Sequence, residues 1–188
     1  MTTSYTVPTL MDGNLRLRAP HMDDVAARLE AGNVVDIQHM YGVDPSAFRP
    51  ETEQSATAWV SYHVNECHSW FIDIDGRLSG LIFLHSLDHT DKRATVAMGL
   101  LRPEQLNKGY GSRAMHLLLG EAFGPLDLHR VSLRVLAYNA RALAAYKKVG
   151  FTEEGRERQS AKVGDRFHDD VMMGMLAHEY CPMKQATQ

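Results

Sequence analysis

The stretch that most constrains the fold runs from Leu101 to Phe123, LRPEQLNKGYGSRAMHLLLGEAF. An apolar strand runs out, a proline-containing loop follows, and two glycines open an amphipathic helix. Met115, Leu118, Leu119, Ala122 and Phe123 recur at the helical period, so one helix face is apolar and packs on a sheet. Gly124 and Pro125 stop it. At the other end, Gly109, Tyr110, Gly111 and Ser112 carry backbone N–H groups that lack intrahelical acceptors, and Gly109 and Gly111 have no Cβ to hold a ligand away. A phosphate suits that end, with Lys108 and Arg113 beside it. Gly-x-Gly alone is also a permissive turn; the preceding strand, the apolar helix and the flanking cations favour the anion site.

Around this stretch the chain reads as alternating elements. Leu15, Leu17 and Ala19 alternate with Arg16 and Arg18, a half-buried strand ended by Pro20. A short helix follows Asp23 and Asp24, with Val25, Ala26 and Leu29 as its apolar face, and Gly32 and Asn33 break it. Residues 33–50 hold one possible helical turn among Gly42, Pro45 and Pro50 and read as a binding loop. Thr52 caps a second helix to about Asn65, with Ala56, Trp59, Val60 and His63 on one side. Ser69–Asp73 and Leu78–Leu84 form a hairpin across Asp75-Gly76, and Ala94–Leu101 is a further strand.

After the motif helix, Leu128–Leu136 alternates as a strand, so strand, helix and strand make a βαβ unit with parallel strands. Asn139 caps a helix carrying Ala142, Ala145, Tyr146 and Val149, closed by Gly150. A last hairpin pairs residues 151–159 with 167–176 around Val163, Gly164 and Asp165; the chain beyond about Ala177 reads as a tail.

At 188 residues this is one domain, 1–188, with its core at about 14–177. No apolar run is long enough to cross a bilayer, and the N-terminus lacks a basic region followed by an apolar core, so a cytoplasmic, non-membrane protein is expected. Net charge is −3 with dispersed cations, which argues against nucleic acid. Cys67 and Cys181 are too few and too far apart for a disulfide framework. His63, Cys67 and His68 could share a helix face, but no fourth ligand accompanies them, so no metal site is expected.

Gly109-x-Gly111-x-x-Ala114 also fits the dinucleotide fingerprint. That fold places its fingerprint after the first strand and an acid about twenty residues later at a strand end. Here several elements precede the motif, and the nearest acid, Asp127, comes before the next strand. The ATP-type loop Gly-x-x-x-x-Gly-Lys-Ser/Thr is absent.

The ordered series Pro103-Glu104, Lys108-Gly109-Tyr110-Gly111, His129-Arg130-Val131, then Asn139 to Phe151 (NARALAAYKKVGF) resembles the GCN5-related N-acetyltransferases over nearly the whole chain. Ser69–Ile72, Gly80–Ile82 and Phe167–Asp170 resemble the branch of ribosomal-protein alanine and spermidine acetyltransferases. The resemblance implies a single-domain α/β fold: a twisted mixed sheet of about seven strands, splayed at its centre between the strands ending near Leu101 and beginning near Leu128, with about four helices. Acetyl-CoA would be the acyl-donor co-substrate in a direct transfer to a primary amine on a protein N-terminus, a polyamine or another small amine. Its pyrophosphate would lie on Lys108, Gly109, Tyr110, Gly111, Ser112 and Arg113, and its pantetheine along Gly99, Leu100 and Leu101. A non-catalytic CoA-binding module of the same fold is the alternative, and a homodimer is possible.

Asn139 matches the family position that holds the pantetheine arm, or serves simply as a helix cap. Tyr146 matches the tyrosine facing the thioester sulfur; its spacing also suits a core aromatic. A phenol stays neutral at working pH and can protonate a departing thiolate. Arg141, Lys147 and Lys148 read as solvated charges or as partners for CoA phosphates. The chain departs from the family at Leu106, where Arg or Gln is usual, and at Asn107, where glycine is common. No Glu or Asp lies between Ala94 and Leu101, so His168, Asp169 or a water chain is left to take the amine's proton.

Overall fold

The computed structural model describes residues 5–182. Eight strands form one sheet: β1 (Leu10–Asp12), β2 (Leu15–Arg18), β3 (Ser69–Ile74), β4 (Arg77–Asp88), β5 (Arg93–Leu100), β6 (Arg130–Leu136), β7 (Thr152–Val163) and β8 (Arg166–Leu176). Their order is β1-β2-β3-β4-β5-β6-β8-β7, and every neighbouring pair is antiparallel except β5 with β6. The helices are α1 (Val25–Ala31), α2 (Val35–Met40), α3 (Glu53–Val64), α4 (Tyr110–Phe123) and α5 (Ala140–Val149). The mixed sheet and its parallel βαβ unit match the expectation. The eighth strand is β1, only three residues long, whose period is too short to read; it pairs with β2 across Gly13-Asn14. The fifth helix is α2, inside the stretch read as a loop.

The two sheet faces are sorted by strand alternation. Trp70, Ile72, Val131, Leu133, Val171 and Met173 point to the face under α4 and α5 and join the larger core with Met115, Leu118, Leu119 and Tyr146. Phe71, Leu78 and Leu81 point to the other face, where Val60 of α3 meets them in a smaller cluster. Covered on both sides, β3 is buried along its whole length. The Asp75-Gly76 turn has φ of 52° and 76°, the pair of positive values a two-residue type I′ hairpin requires.

Several strand ends shift by a few residues, β4 running on to Asp88 and β7 to Val163, and two further features differ from the sequence reading. In α1 the inward residue is Arg28, 3% exposed, whereas Leu29 is 40% exposed. The Arg28 guanidinium pairs with Glu51, donates to the Gly32 carbonyl at 2.8 Å and to Asn33 Oδ1 at 2.7 Å, and lies over the Trp59 ring. A residue with that many partners outcompetes leucine for the buried position. At the C-terminal end, the chain after Ala177 is not a free tail up to residue 182. A short 3₁₀ turn, Ala177–Glu179, places Tyr180 on α4, where its hydroxyl donates to the His116 carbonyl at 2.9 Å. The N-terminal segment is held likewise: Tyr5 donates to Glu121 at 2.9 Å, and the Trp70 indole donates to the Pro8 carbonyl at 2.9 Å. The stretches 1–4 and 183–188 lie outside the described residues. No helix among the described residues is long and apolar enough to cross a membrane.

Candidate active site

The site is made by the one parallel contact in the sheet. β5 and β6 are in register only at Arg93↔Arg130, Ala94↔Val131 and Thr95↔Ser132. Beyond Thr95 the two strands part, while α4 completes the crossover over one face of the sheet. From Val96 to Leu100, β5 therefore keeps β4 on one side and, among the described residues, has no strand on the other. The gap is a cavity of about 720 Å³, bounded by the first turn of α4, by α5, by Met40 and Tyr41, and by the β7–β8 hairpin.

The phosphate-suited end has the expected geometry. Gly109 caps α4 with φ 80°, and Arg113 N–H is the first amide to find a helical acceptor, the Gly109 carbonyl at 3.0 Å. The amides of Tyr110, Gly111 and Ser112 precede that first bond, and no side chain caps them. Asn107 has φ 61°, a left-handed conformation that explains why glycine suits this position and asparagine tolerates it. The two glycines serve different needs: Gly109 supplies its positive φ, while a Cβ on Gly111 would stand 3.3 Å from the Met98 methyl. Gly109, Tyr110, Gly111 and Ser112 line the cavity; Lys108 and Arg113 do not. The Arg113 side chain is committed elsewhere, donating to Asp12 Oδ2 at 2.6 Å and to Asn14 at 3.2 Å and crossing the Tyr110 ring, so it ties α4 to β1. Cations reach the cavity from α5 instead, as Arg141 and Lys148, whereas Lys147 pairs with Glu153 at 3.3 Å.

Along the open strand, Gly99 and Leu100 line the cavity and Leu101 does not. The Leu101 N–H is turned inward, donating to the Ser79 carbonyl at 2.8 Å. Alternation then turns the Leu100 amide toward the cleft, where it meets the hydroxyl of Tyr41. Tyr41 follows α2, and its ring lies on bare backbone: a Cβ on Gly99 would fall 2.5 Å from the Tyr41 hydroxyl oxygen. Half of the Tyr41 surface is open, yet the phenolic end is inserted deeply enough that burial raises its pKa, offset partly by Arg141 and the Leu100 amide.

Tyr146 reaches the cavity from α5, 9% exposed and edge-on to Phe151 at 6.0 Å. Burial, and then the neighbouring Tyr41, push its pKa well above the ordinary phenol value, so it is neutral throughout the working range. Asn139 also borders the cavity, but both ends of its amide are occupied: Oδ1 accepts from Ala142 N–H at 3.1 Å and Nδ2 donates to the Met40 carbonyl at 3.3 Å. Its cap role is realised, and its second bond holds the segment that carries Tyr41. Tyr138 adds to that hold, donating to the His39 carbonyl at 2.7 Å.

His168 and Asp169 are not part of the cavity lining. His168 stands edge-on to Tyr138 at 4.8 Å, and Asp169 Oδ1 accepts from Gln159 N–H at 2.9 Å, bracing the bulge of β7. The carboxylate that does line it is the next residue, Asp170, 3% exposed. Sequence reasoning missed Asp170, Arg134 and Tyr41. Period two along β8 carries a signal for the first: Val171, Met173 and Met175 are buried on the helix-covered face, which places Asp170 on the other. Of the three residues considered for metal, His63 is buried against Ser69 at 3.2 Å and Cys67 is exposed. Among the described residues no three His, Cys, Asp or Glu side chains gather to hold an ion.

The comparisons agree with this architecture. The sequence profile of the Acetyltransferase (GNAT) domain matches residues 14–152. YdaF of Bacillus subtilis (strain 168), whose name marks it only provisionally as a ribosomal N-acetyltransferase, is 33% identical over 106 residues, 56% of this chain and 57% of that protein. Spermidine N(1)-acetyltransferase of Escherichia coli (strain K12) is 28% identical over 109 residues, 58% of each. The match thus spans a little over half the length of these two relatives. The corresponding Vibrio cholerae enzyme is 25% identical over 171 residues, 90% of this chain and 97% of the relative. A GNAT-family acetyltransferase from Bacillus anthracis shares the fold with a TM-score of 0.78 at 20% identity, covering 92% of this chain and all of the other. With that profile matched over most of its length and the splayed sheet in place, the chain belongs to the GNAT acetyltransferase domain family.

Proposed function

We propose that the protein is an acetyl-CoA-dependent N-acetyltransferase that passes an acetyl group directly to a primary amine. The observation that carries this is the convergence in one cavity of three uncapped amides at the start of α4, an unpartnered strand edge on β5 and the buried neutral phenol of Tyr146. The donor set fits the cofactor: amides at Tyr110, Gly111 and Ser112 suit a pyrophosphate, Arg141 and Lys148 suit further phosphate charge, and the outward Leu100 amide suits a pantetheine carbonyl. Acetyl-CoA supplies an activated acyl carbon as a thioester. Tyr146 holds a proton at its hydroxyl for a departing thiolate, and the wall of Met98, Leu100 and Ala145 keeps water out. The relatives named for spermidine acetylation support an amine acceptor. The free thiols of Cys67 and Cys181 are exposed and do not line the cavity, so no covalent enzyme intermediate enters the reading.

Calorimetry with acetyl-CoA, together with thiol release in the presence of a panel of amines, tests the proposal. Tyr146→Phe is expected to keep acetyl-CoA affinity within about twofold and to lower kcat by roughly 10²–10⁴, the range for removing a general acid. A protein that does not bind acetyl-CoA refutes the reading, and full-rate Tyr146→Phe removes the proposed acid.

A further inference from the structure

Two buried carboxylates, Asp73 and Asp24, are saturated by their donors, and a third, Glu121, accepts from Tyr5 away from the cavity. Asp73 accepts from Arg16 at 2.6 Å and from Arg18 at 2.8 Å; Asp24 accepts from Arg18 at 2.6 and 2.9 Å and from the His21 amide at 2.8 Å. Both lie outside the cavity. Asp170 is equally buried but differs in two respects. Among the described residues it is the single carboxylate lining the cavity, and its contacts are few: Ser160 donates to Oδ2 at 2.8 Å, and Arg134 Nε stands 3.6 Å from the same oxygen. Among the described residues no donor reaches Oδ1. A desolvated carboxylate has about four acceptor positions and is costly when they are left empty. Asp170 borders the cavity with Oδ1 not fully enclosed, so a ligand there has an acceptor to meet.

We propose that Asp170 and Arg134 form the acceptor subsite: Asp170 takes a primary ammonium, and Arg134 requires that the group beside it be anionic or uncharged, which disfavours polycations. The proposal rests on the cleft being an acetyl-transfer site. The register Leu136↔Asp170 places the carboxylate level with the end of β6, on the sheet face across which Tyr41 reaches from α2. Arg134, two residues back on β6, keeps 61% of its side chain exposed and pairs with no other carboxylate among the described residues. Lys162 lines the same cavity from β7. A second ammonium on a polyamine would therefore meet Arg134 and Lys162, whereas a carboxylate or carbonyl there meets complementary charge.

The test is calorimetric titration of two acceptors, alanylglutamate and spermidine, into the full chain saturated with CoA. Wild type is expected to bind alanylglutamate more tightly than spermidine. Asp170→Asn should weaken the dipeptide by at least about 30-fold, the effect of removing one partner of a buried charge pair. Arg134→Gln, at an exposed position that does not threaten folding, should shift the preference toward spermidine by about tenfold. Dipeptide affinity unchanged in Asp170→Asn, tighter spermidine binding in wild type, or no binding of either amine overturns the subsite; if Asp170→Asn does not fold, an unshifted preference in Arg134→Gln does so alone. Parallel thiol-release assays keep the two readings apart. Acceptor binding without release sinks acetyl transfer and leaves only an amine-binding cleft at Asp170, whereas release that ignores Asp170 keeps acetyl transfer and sinks the subsite.

Discussion

The two halves of the cleft are built from different materials. On the helix side, the groups that can hold a ligand are backbone amides: Tyr110, Gly111 and Ser112 at the start of α4, and Leu100 on the free edge of β5. They come from one continuous βα segment. On the acceptor side the groups are side chains, Tyr41, Arg134, Ser160 and Asp170, each from a different element and brought together only by sheet register and by the docking of α2. Backbone donors survive most substitutions; a constellation of side chains does not. A ligand common to a family suits the first construction, and a variable acceptor suits the second.

The packing beneath the halves differs in the same direction, and the largest expected effect breaks the comparison there. Under α4 and α5 the core is extensive and aliphatic, whereas the small cluster on the opposite face has His63 among Trp59, Phe71 and Phe83. Burial lowers the His63 pKa from 6.5 to about 4. The folded pKa lies below the unfolded one, so the unfolded chain binds the proton more readily. The stability from neutral His63 is therefore complete above about pH 6.5 and lost as the pH falls toward 4. At about 1.4 kcal/mol per pH unit the full loss is roughly 3.5 kcal/mol, of which about 2 kcal/mol falls between pH 7 and pH 5. Urea midpoints at pH 7 and pH 5 check it: His63→Phe should flatten the slope by that amount whatever its effect at neutral pH. An unchanged slope would assign the acid sensitivity to other groups, such as His68, His85 and His116, whose pKa values burial also lowers.

The same contrast explains what was legible in the sequence. Gly109 to Ser112, the Asp75-Gly76 turn and the Asn139 cap depend on neighbours within a few residues, and they were readable as local chemistry. Asp170 depends on pairing with Leu136, thirty-four positions earlier, and on a bulge in β7 that takes Asp169 away from the cavity. Tyr41 depends on hydrogen bonds from Tyr138 and Asn139, nearly one hundred residues on. Arg113 shows the limit on the other side: its position beside the glycines was visible, but the strand that claims its side chain, β1, was too short to see.

Tyr41 joins the halves, since its backbone belongs to the acceptor side and its hydroxyl occupies the strand edge of the donor side. Any ligand chain that pairs with the Leu100 amide must displace it. Tyr41→Ala is expected to tighten acetyl-CoA binding about fivefold, close to 1 kcal/mol, by removing an occupant whose hydrogen bond must first be broken. Calorimetry reads this directly. Weaker binding in the variant would mean that the ring is a contact for the ligand and not a competitor, and the boundary between the halves would move.

The smallest effect concerns Leu106, where a side chain could have reinforced the backbone construction and does not. Leu106 borders the cavity just before the left-handed Asn107, and it packs partly on the core. A guanidinium there would stand beside the uncapped amides of α4 and add charge-assisted bonds to an anion. Three amides and the helix dipole already supply most of that stabilisation, and the exposed rim screens a new charge, so Leu106→Arg should tighten acetyl-CoA by only about threefold. The gain should shrink as salt is raised, because it is electrostatic, while the wild-type affinity, resting on short backbone bonds, should change less. Lost leucine packing lowers stability in the same variant, so the affinity must be measured well below its melting temperature. A gain that persists at high salt would point to a new hydrophobic or steric contact. No gain at either salt would show that backbone alone saturates this half of the cleft, the strongest form of the contrast with the side-chain half.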